Sequence, residues 1–142
     1  VNNIYGLVLM DAGRFPEAIA HARRMVLRTT DTRRLGFYGL ILARAGATDD
    51  ARALLRRVDA TPAGTWGKLS AQSRVNLALG DTARALDALE RAAAGDGDLA
   101  ISQVISSKHF DPIRKSPRFA AVLRKFNLDV DRLTAPDGGR SR

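Results

Sequence analysis

The sequence predicts an all-α chain built from repeated helical hairpins, and three observations predict it. A pattern of small residues recurs at a fixed period, the composition favours helix, and the apolar residues fall at helical spacing. The pattern runs Gly6, Gly13, Phe15, Ala18, then Gly39, Gly46, Thr48, Ala51, then Ser73, Gly80, Thr82, Ala85. Gly13, Gly46 and Gly80 lie 33 and 34 residues apart, and each is followed five residues later by alanine. One such pair would mean nothing, but threefold recurrence at one period marks a repeat architecture. Abundant Ala, Leu and Arg with few β-branched runs supply the helix propensity.

Helical-hairpin geometry explains the small residues. Two helices that approach closely need a small side chain in the first (Gly6, Gly39, Ser73) and an alanine in the second (Ala18, Ala51, Ala85). The glycine between them takes positive φ and ends the first helix. Behind each glycine stands helix-start chemistry: Pro16 with Glu17, Thr48 with Asp49 and Asp50, Asp81 with Thr82. Proline suits the first turn, hydroxyls and carboxylates cap, and acids favour the positive end of the dipole. Ala18, Ala22, Met25 and Val26 form one apolar stripe, as do Ala51, Leu54, Leu55 and Val58, and Ala85, Leu86, Leu89, Ala92 and Ala93. Helices are therefore expected over Asn2–Ala12, Pro16–Thr29, Thr32–Ala45, Asp49–Val58, Thr65–Leu79 and Thr82–Ala94, with loops at Asp59–Gly64 and Ala94–Asp98.

After Gly97 the pattern changes. Leu99–Ser107 is expected to form a seventh helix, followed by a loop holding His109 and the string Phe110-Asp111-Pro112-Ile113-Arg114. Ser116-Pro117 is an N-cap with proline behind it, and Phe119, Val122, Leu123 and Phe126 follow at i, i+3, i+4 and i+7. An amphipathic helix at this place covers the apolar face that the last repeat would otherwise expose. Leu133–Arg142, with Pro136, Gly138 and Gly139, is expected to be a flexible tail. The chain thus divides into hairpins over 1–97, capping helices over 98–130 and a tail over 131–142.

Composition narrows the function. The 142 residues suit one domain with a sizeable core. Without cysteine there is neither a disulfide framework nor a thiolate metal site. The apolar run Leu7-Val8-Leu9-Met10 is far short of the ~20 residues that cross a bilayer, so no membrane insertion and a cytoplasmic location are expected. The chain begins with Val1 and enters a helical pattern at once, so further residues are expected upstream. Net charge is +8, and the segment from Lys108 onward holds five of that surplus. Arginine supplies 19 of the 23 basic positions, which a GC-rich genome accounts for as readily as a basic binding surface does.

Catalytic constellations are missing. His21 sits between alanines in a helix and His109 beside Lys108, and neither has metal ligands at helical or loop spacing. Gly95-Asp96-Gly97-Asp98 lacks the ligand spacing of a calcium loop and is expected to be a turn. No phosphate-cradling glycine motif occurs. Trp66 is expected to be a packing residue at the start of the fifth helix. No catalytic residue, metal or cofactor is therefore expected.

Period, helix pairing and the glycine–aromatic–alanine pattern over residues 1–97 resemble the tetratricopeptide repeat. Phe15 keeps the family's aromatic, while Thr48 and Thr82 replace it and the closing proline survives only as nearby Pro62. The resemblance implies a right-handed α-α superhelix with C-terminal capping helices, and a protein or peptide partner, with acidic groups, on its concave wall. The groove positions it implies are Asn3, Leu7, Met10 and Asp11 in the first repeat, Arg33, Leu40 and Arg44 in the second, and Ser70, Arg74 and Leu77 in the third. Arg33, Arg44 and Arg74 suit carboxylates of an extended peptide; the alternative is that they are simply solvated. Leu7 stands where the chaperone-binding members carry the first asparagine of their carboxylate clamp, so that clamp is not matched.

Residues Phe110–Phe119 and Val122–Phe126 are similar to the ends of tetratricopeptide tails in multidomain bacterial regulators. This implies a parent protein such as a Ser/Thr kinase, a nucleotide cyclase or a winged-helix activator. Three functions follow: a non-catalytic interaction or scaffold module, the sensory or recruiting tail of a signalling enzyme, and a basic nucleic-acid binder. The third is opposed by the lack of aromatic stacking residues among the basic ones.

Overall fold

The computed structural model describes residues 2–95 and 107–126, and every regular element among them is helical. Six α-helices come in three consecutive pairs: α1 (Asn2–Asp11) with α2 (Phe15–Val26), α3 (Thr32–Arg44) with α4 (Thr48–Asp59), and α5 (Lys68–Ala78) with α6 (Thr82–Ala93). A 3-10 helix (Lys108–Ile113) and α7 (Pro117–Lys125) follow. The expected helix over Leu99–Ser107, all but its last residue, lies outside the described residues, as do Asp96-Gly97-Asp98 and the tail. Among the described residues no helix is long and apolar enough to cross a membrane.

The three hairpin turns are copies of one another. Gly13, Gly46 and Gly80 have φ of 74°, 96° and 86°, the left-handed region that favours glycine. At each turn the glycine N–H donates three residues back, and the next N–H donates five residues back: Arg14 to Leu9 at 2.9 Å, Ala47 to Leu42 at 2.8 Å, Asp81 to Asn76 at 2.8 Å. This is the Schellman closure, which satisfies the last carbonyls of the first helix. A Cβ at any of the three would meet nothing within 4 Å, so the glycines are required by conformation and not by space.

Caps differ from the expectation in detail. Asp31 caps α3, accepting from the Arg33 and Arg34 amides at 3.0 and 3.3 Å, and Asp81 caps α6, accepting from the Arg84 amide at 3.1 Å. Thr48 does not cap α4; it is the first helical residue, and its hydroxyl donates back to the Gly46 carbonyl at 3.4 Å. Ser116 occupies the N-cap of α7 without a side-chain cap bond. The carboxyl end of α2 is closed from outside: the Arg57 guanidinium of α4 donates to the Val26 and Thr29 carbonyls at 2.9 and 2.6 Å.

First and second helices are buried differently. Along α3 the run Leu35-Gly36 and Tyr38–Leu42 is buried almost without interruption, and along α5 Leu69–Ala71 and Ser73–Asn76 are. Helices covered on several sides need no polar stripe. By contrast α4 and α6 bury one stripe each, Ala51, Leu54, Leu55, Val58 and Ala85, Leu86, Ala88, Leu89, Ala92, and keep a wet face. The first helices lie side by side, α1 against α3 and α3 against α5. Glycine permits this: a Cβ at Gly36 would lie 2.7 Å from the Ala71 backbone, and one at Gly39 would lie 2.5 Å from Val75. Two apolar cores result. One spans α1 to α5, and the second joins Leu69, Leu86 and Leu89 of the third hairpin to Phe110, Ile113, Phe119, Val122 and Leu123.

Trp66 corrects the expectation made for it. It lies before α5 and is 50% exposed. Helix α5 starts at Lys68 because Gly67, at φ 79°, turns the chain tightly against the Arg33 backbone. The residues before it therefore stay outside the helix.

Candidate protein-interaction site

The expected groove positions lie on three adjacent first helices, and the structure separates them into an open and a covered group. On α1, Asn3 and Leu7 are half-buried and Asp11 is exposed; on α3, Arg33 is half-buried and Arg44 exposed. These five form the open group. Met10 and Leu40 are buried, at 6% and 1% exposure, and Met10 belongs to the first core. Ser70 and Arg74 of α5 are buried, and Leu77 packs against the second core.

Arg74 is therefore neither a solvated surface charge nor an open fork. Its guanidinium carbon lies 3.9 Å from the Phe37 ring centroid, a cation–π contact between α5 and α3. Burial of Leu40, Ser70 and Arg74 corrects the picture of a groove open along its whole length.

The 3-10 segment Lys108–Ile113 lies against α5. Ser107 accepts from the His109 amide at 3.4 Å, and Arg114 donates back to the Ser107 carbonyl at 2.9 Å, which pins both ends of the turn. Phe110 and Ile113 point into the second core. Lys108 reaches the other way, its Nζ 3.1 Å from Asp11 Oδ2 at the end of α1. His109, expected in a loop, is buried in this segment. Burial first, then Arg44 and Lys108, and least of all Arg74, hold its imidazole below the ordinary histidine pKa, with Asp11 pulling the other way. The charges of α1, α3 and α5 thus converge on one histidine.

Sequence reasoning missed this return of the chain onto the first helices. The one local signal was the pair Phe110 and Ile113, apolar at i and i+3, the spacing that a 3-10 turn brings to one side.

A second concavity lies on the opposite, second-helix side. About 570 Å³ open between α4 and the α5–α6 turn, lined by Arg52, Arg56 and Arg84 together with Asp59 and Asp81. Arg52 pairs with Asp49 and Arg84 with Asp81, so much of its positive charge is already answered. Among the described residues no three His, Asp or Glu gather into a metal-holding group.

The class is thus an all-helical protein whose paired helices pack in a way compatible with a helical repeat. No family model, no curated protein and no solved structure matches the chain.

Proposed function

We propose that the chain is a non-catalytic protein-interaction module of tetratricopeptide type, a right-handed solenoid that binds an acidic partner segment across α1 and α3. One observation carries the reading: the repeated hairpins bring first helices side by side, and Arg33 and Arg44 remain reachable on that side. Guanidinium groups hold carboxylates through paired, charge-assisted hydrogen bonds. Asn3 offers an amide and Leu7 a half-buried apolar contact beside them. The third repeat contributes little, because Ser70, Arg74 and Leu77 are engaged by packing. The likeness of Phe110–Phe126 to the tails of bacterial regulators supports a place in the cytoplasm as part of a larger signalling protein.

The test is a binding titration with an Asp/Glu-rich peptide and with a partner recovered by pull-down. The double variant Arg33→Ala, Arg44→Ala should weaken binding about tenfold or more while leaving the helical circular dichroism unchanged. The charge-matched control Arg23→Ala, Arg24→Ala on α2 should weaken it far less. Equal loss in both variants would reduce the effect to net charge, and unchanged binding in the first would remove the site from α1 and α3.

A further inference from the structure

The repeat makes equivalent positions comparable, and one hairpin differs from the other two. Val8, Ile41 and Val75 each stand two residues after the small residue of their first helix (Gly6, Gly39, Ser73). Ile41 and Val75 are 0% exposed, whereas Val8 is 58% exposed. The same holds one turn back: Tyr38 is 3% exposed and its counterpart Tyr5 is 51% exposed. On the same helix Ile4 is exposed, while its counterparts Phe37 and Ala71 are half-buried and buried.

What buries the inner residues is in each case the preceding hairpin. A Cβ on Gly6 would lie 2.7 Å from Ile41 Cδ1, and one on Gly39 would lie 2.5 Å from Val75 Cγ2. Each branched side chain therefore fills the space left by the glycine of the first helix before it. Tyr38 meets the preceding second helix, its ring centroid 6.4 Å from that of His21. Both interfaces are made by the hairpin immediately ahead in the chain, across the linkers 27–31 and 60–67.

We propose that Ile4, Tyr5 and Val8 form the seat of a further hairpin of the same repeat, carried by the polypeptide ahead of α1, with a small residue against Val8. The occupant follows from continuity with the two internal interfaces, which show the same surface covered twice by the same kind of structure. The inference rests on the repeat and is independent of the partner site, whose arginines Arg33 and Arg44 lie on α3 while the seat lies on α1.

Gly6 stands 35 residues ahead of Ile41, and Gly39 stands 36 ahead of Val75. The coding sequence upstream should accordingly place Gly, Ala or Ser about 35 residues ahead of Val8, inside a helical apolar pattern. A large residue there, or no hairpin pattern, overturns the proposal. A second arm tests the seat itself. Residues Thr32–Gly67 are joined directly to Val1 of the full chain, the register in which Val8 takes the place of Val75. Amide exchange in α1 should slow by about tenfold or more. Gly39→Leu in the added copy alone, or Val8→Asp, should abolish the gain. Unchanged exchange in the extended chain, or a gain that survives Gly39→Leu, overturns the seat. So does a dimer of the unextended chain that Val8→Asp disperses, because the occupant is then a second copy. Alanine at Arg33 and Arg44 should leave the exchange gain intact, so failure of the partner site and failure of the seat are read separately.

Discussion

At one end of the row of hairpins, Phe119, Val122 and Leu123 of α7 close over α6 and are buried; at the other, Ile4, Val8 and Phe15 of α1 and α2 face solvent. The helix pairs close with the same turn at both ends, and among the described residues only the third pair carries a packed cap. The covered end is built by a segment that does not repeat, and a salt-bridge clamp fixes it: Arg118 binds Glu90 at 2.7 Å and Asp87 at 2.6 Å, both on α6. A hairpin cannot bury its own apolar face, and only a neighbour or a cap can.

The sharpest way to break the comparison is to empty the covered end. Phe119 is fully buried among the second core, so Phe119→Ala should cost about 3–5 kcal/mol in urea unfolding. A smaller loss would mean that α7 is only laid on the surface. Next comes the matched pair at equivalent positions. Ile41→Ala should cost about 2–5 kcal/mol, while Val8→Ala should stay within about 0.5 kcal/mol. Equal costs would show that Val8 already has a partner in solution.

Much of this architecture was legible from the chain. The turn glycines, the second-helix stripes and the α7 stripe are local signals, each readable within one or two helical turns. What stayed hidden was long-range. Lys108 pairs with Asp11 across 97 residues, and no local pattern announces that contact. The groove positions assumed open first helices, and the returning segment and the Arg74–Phe37 stack remove that assumption over α5. Trp66 was misplaced for a third reason: Gly67 delays α5, and its left-handed turn is visible only once Arg33 is seen against it.

Two kinds of glycine refine the same contrast between closed interfaces and open turns. Gly39→Ala drives a Cβ into Val75 and should cost about 1–3 kcal/mol. Gly13→Ala meets no atom but must hold φ near 74°, which should cost about 1–2 kcal/mol. Asparagine separates the causes. It tolerates the left-handed region, so Gly13→Asn should be milder than Gly13→Ala, whereas Gly39→Asn should be worse than Gly39→Ala. The same order at both sites would merge the two roles.

The smallest effect concerns protons, and it also divides the covered end. His109 is buried, its Nδ1 has no hydrogen-bond partner among the described residues, and burial with Arg44, Lys108 and Arg74 nearby lowers its pKa against the pull of Asp11. Above the ordinary histidine value of about 6.5 the ring is neutral folded and unfolded, and stability does not depend on it. Below that value the unfolded chain takes up a proton that the folded chain resists, so stability falls as pH is lowered. Glu90 is depressed by its hydrogen bond to Arg118, and its contribution is lost only on further acidification, through and below the carboxylate range. Because Glu90 and Arg118 are exposed, salt should erase the second loss and spare the first. Urea unfolding at about pH 7, 5.5 and 3, in low and high salt, separates them. His109→Gln should flatten the upper window and leave the lower one, and a variant that keeps the upper slope would assign that slope to another group.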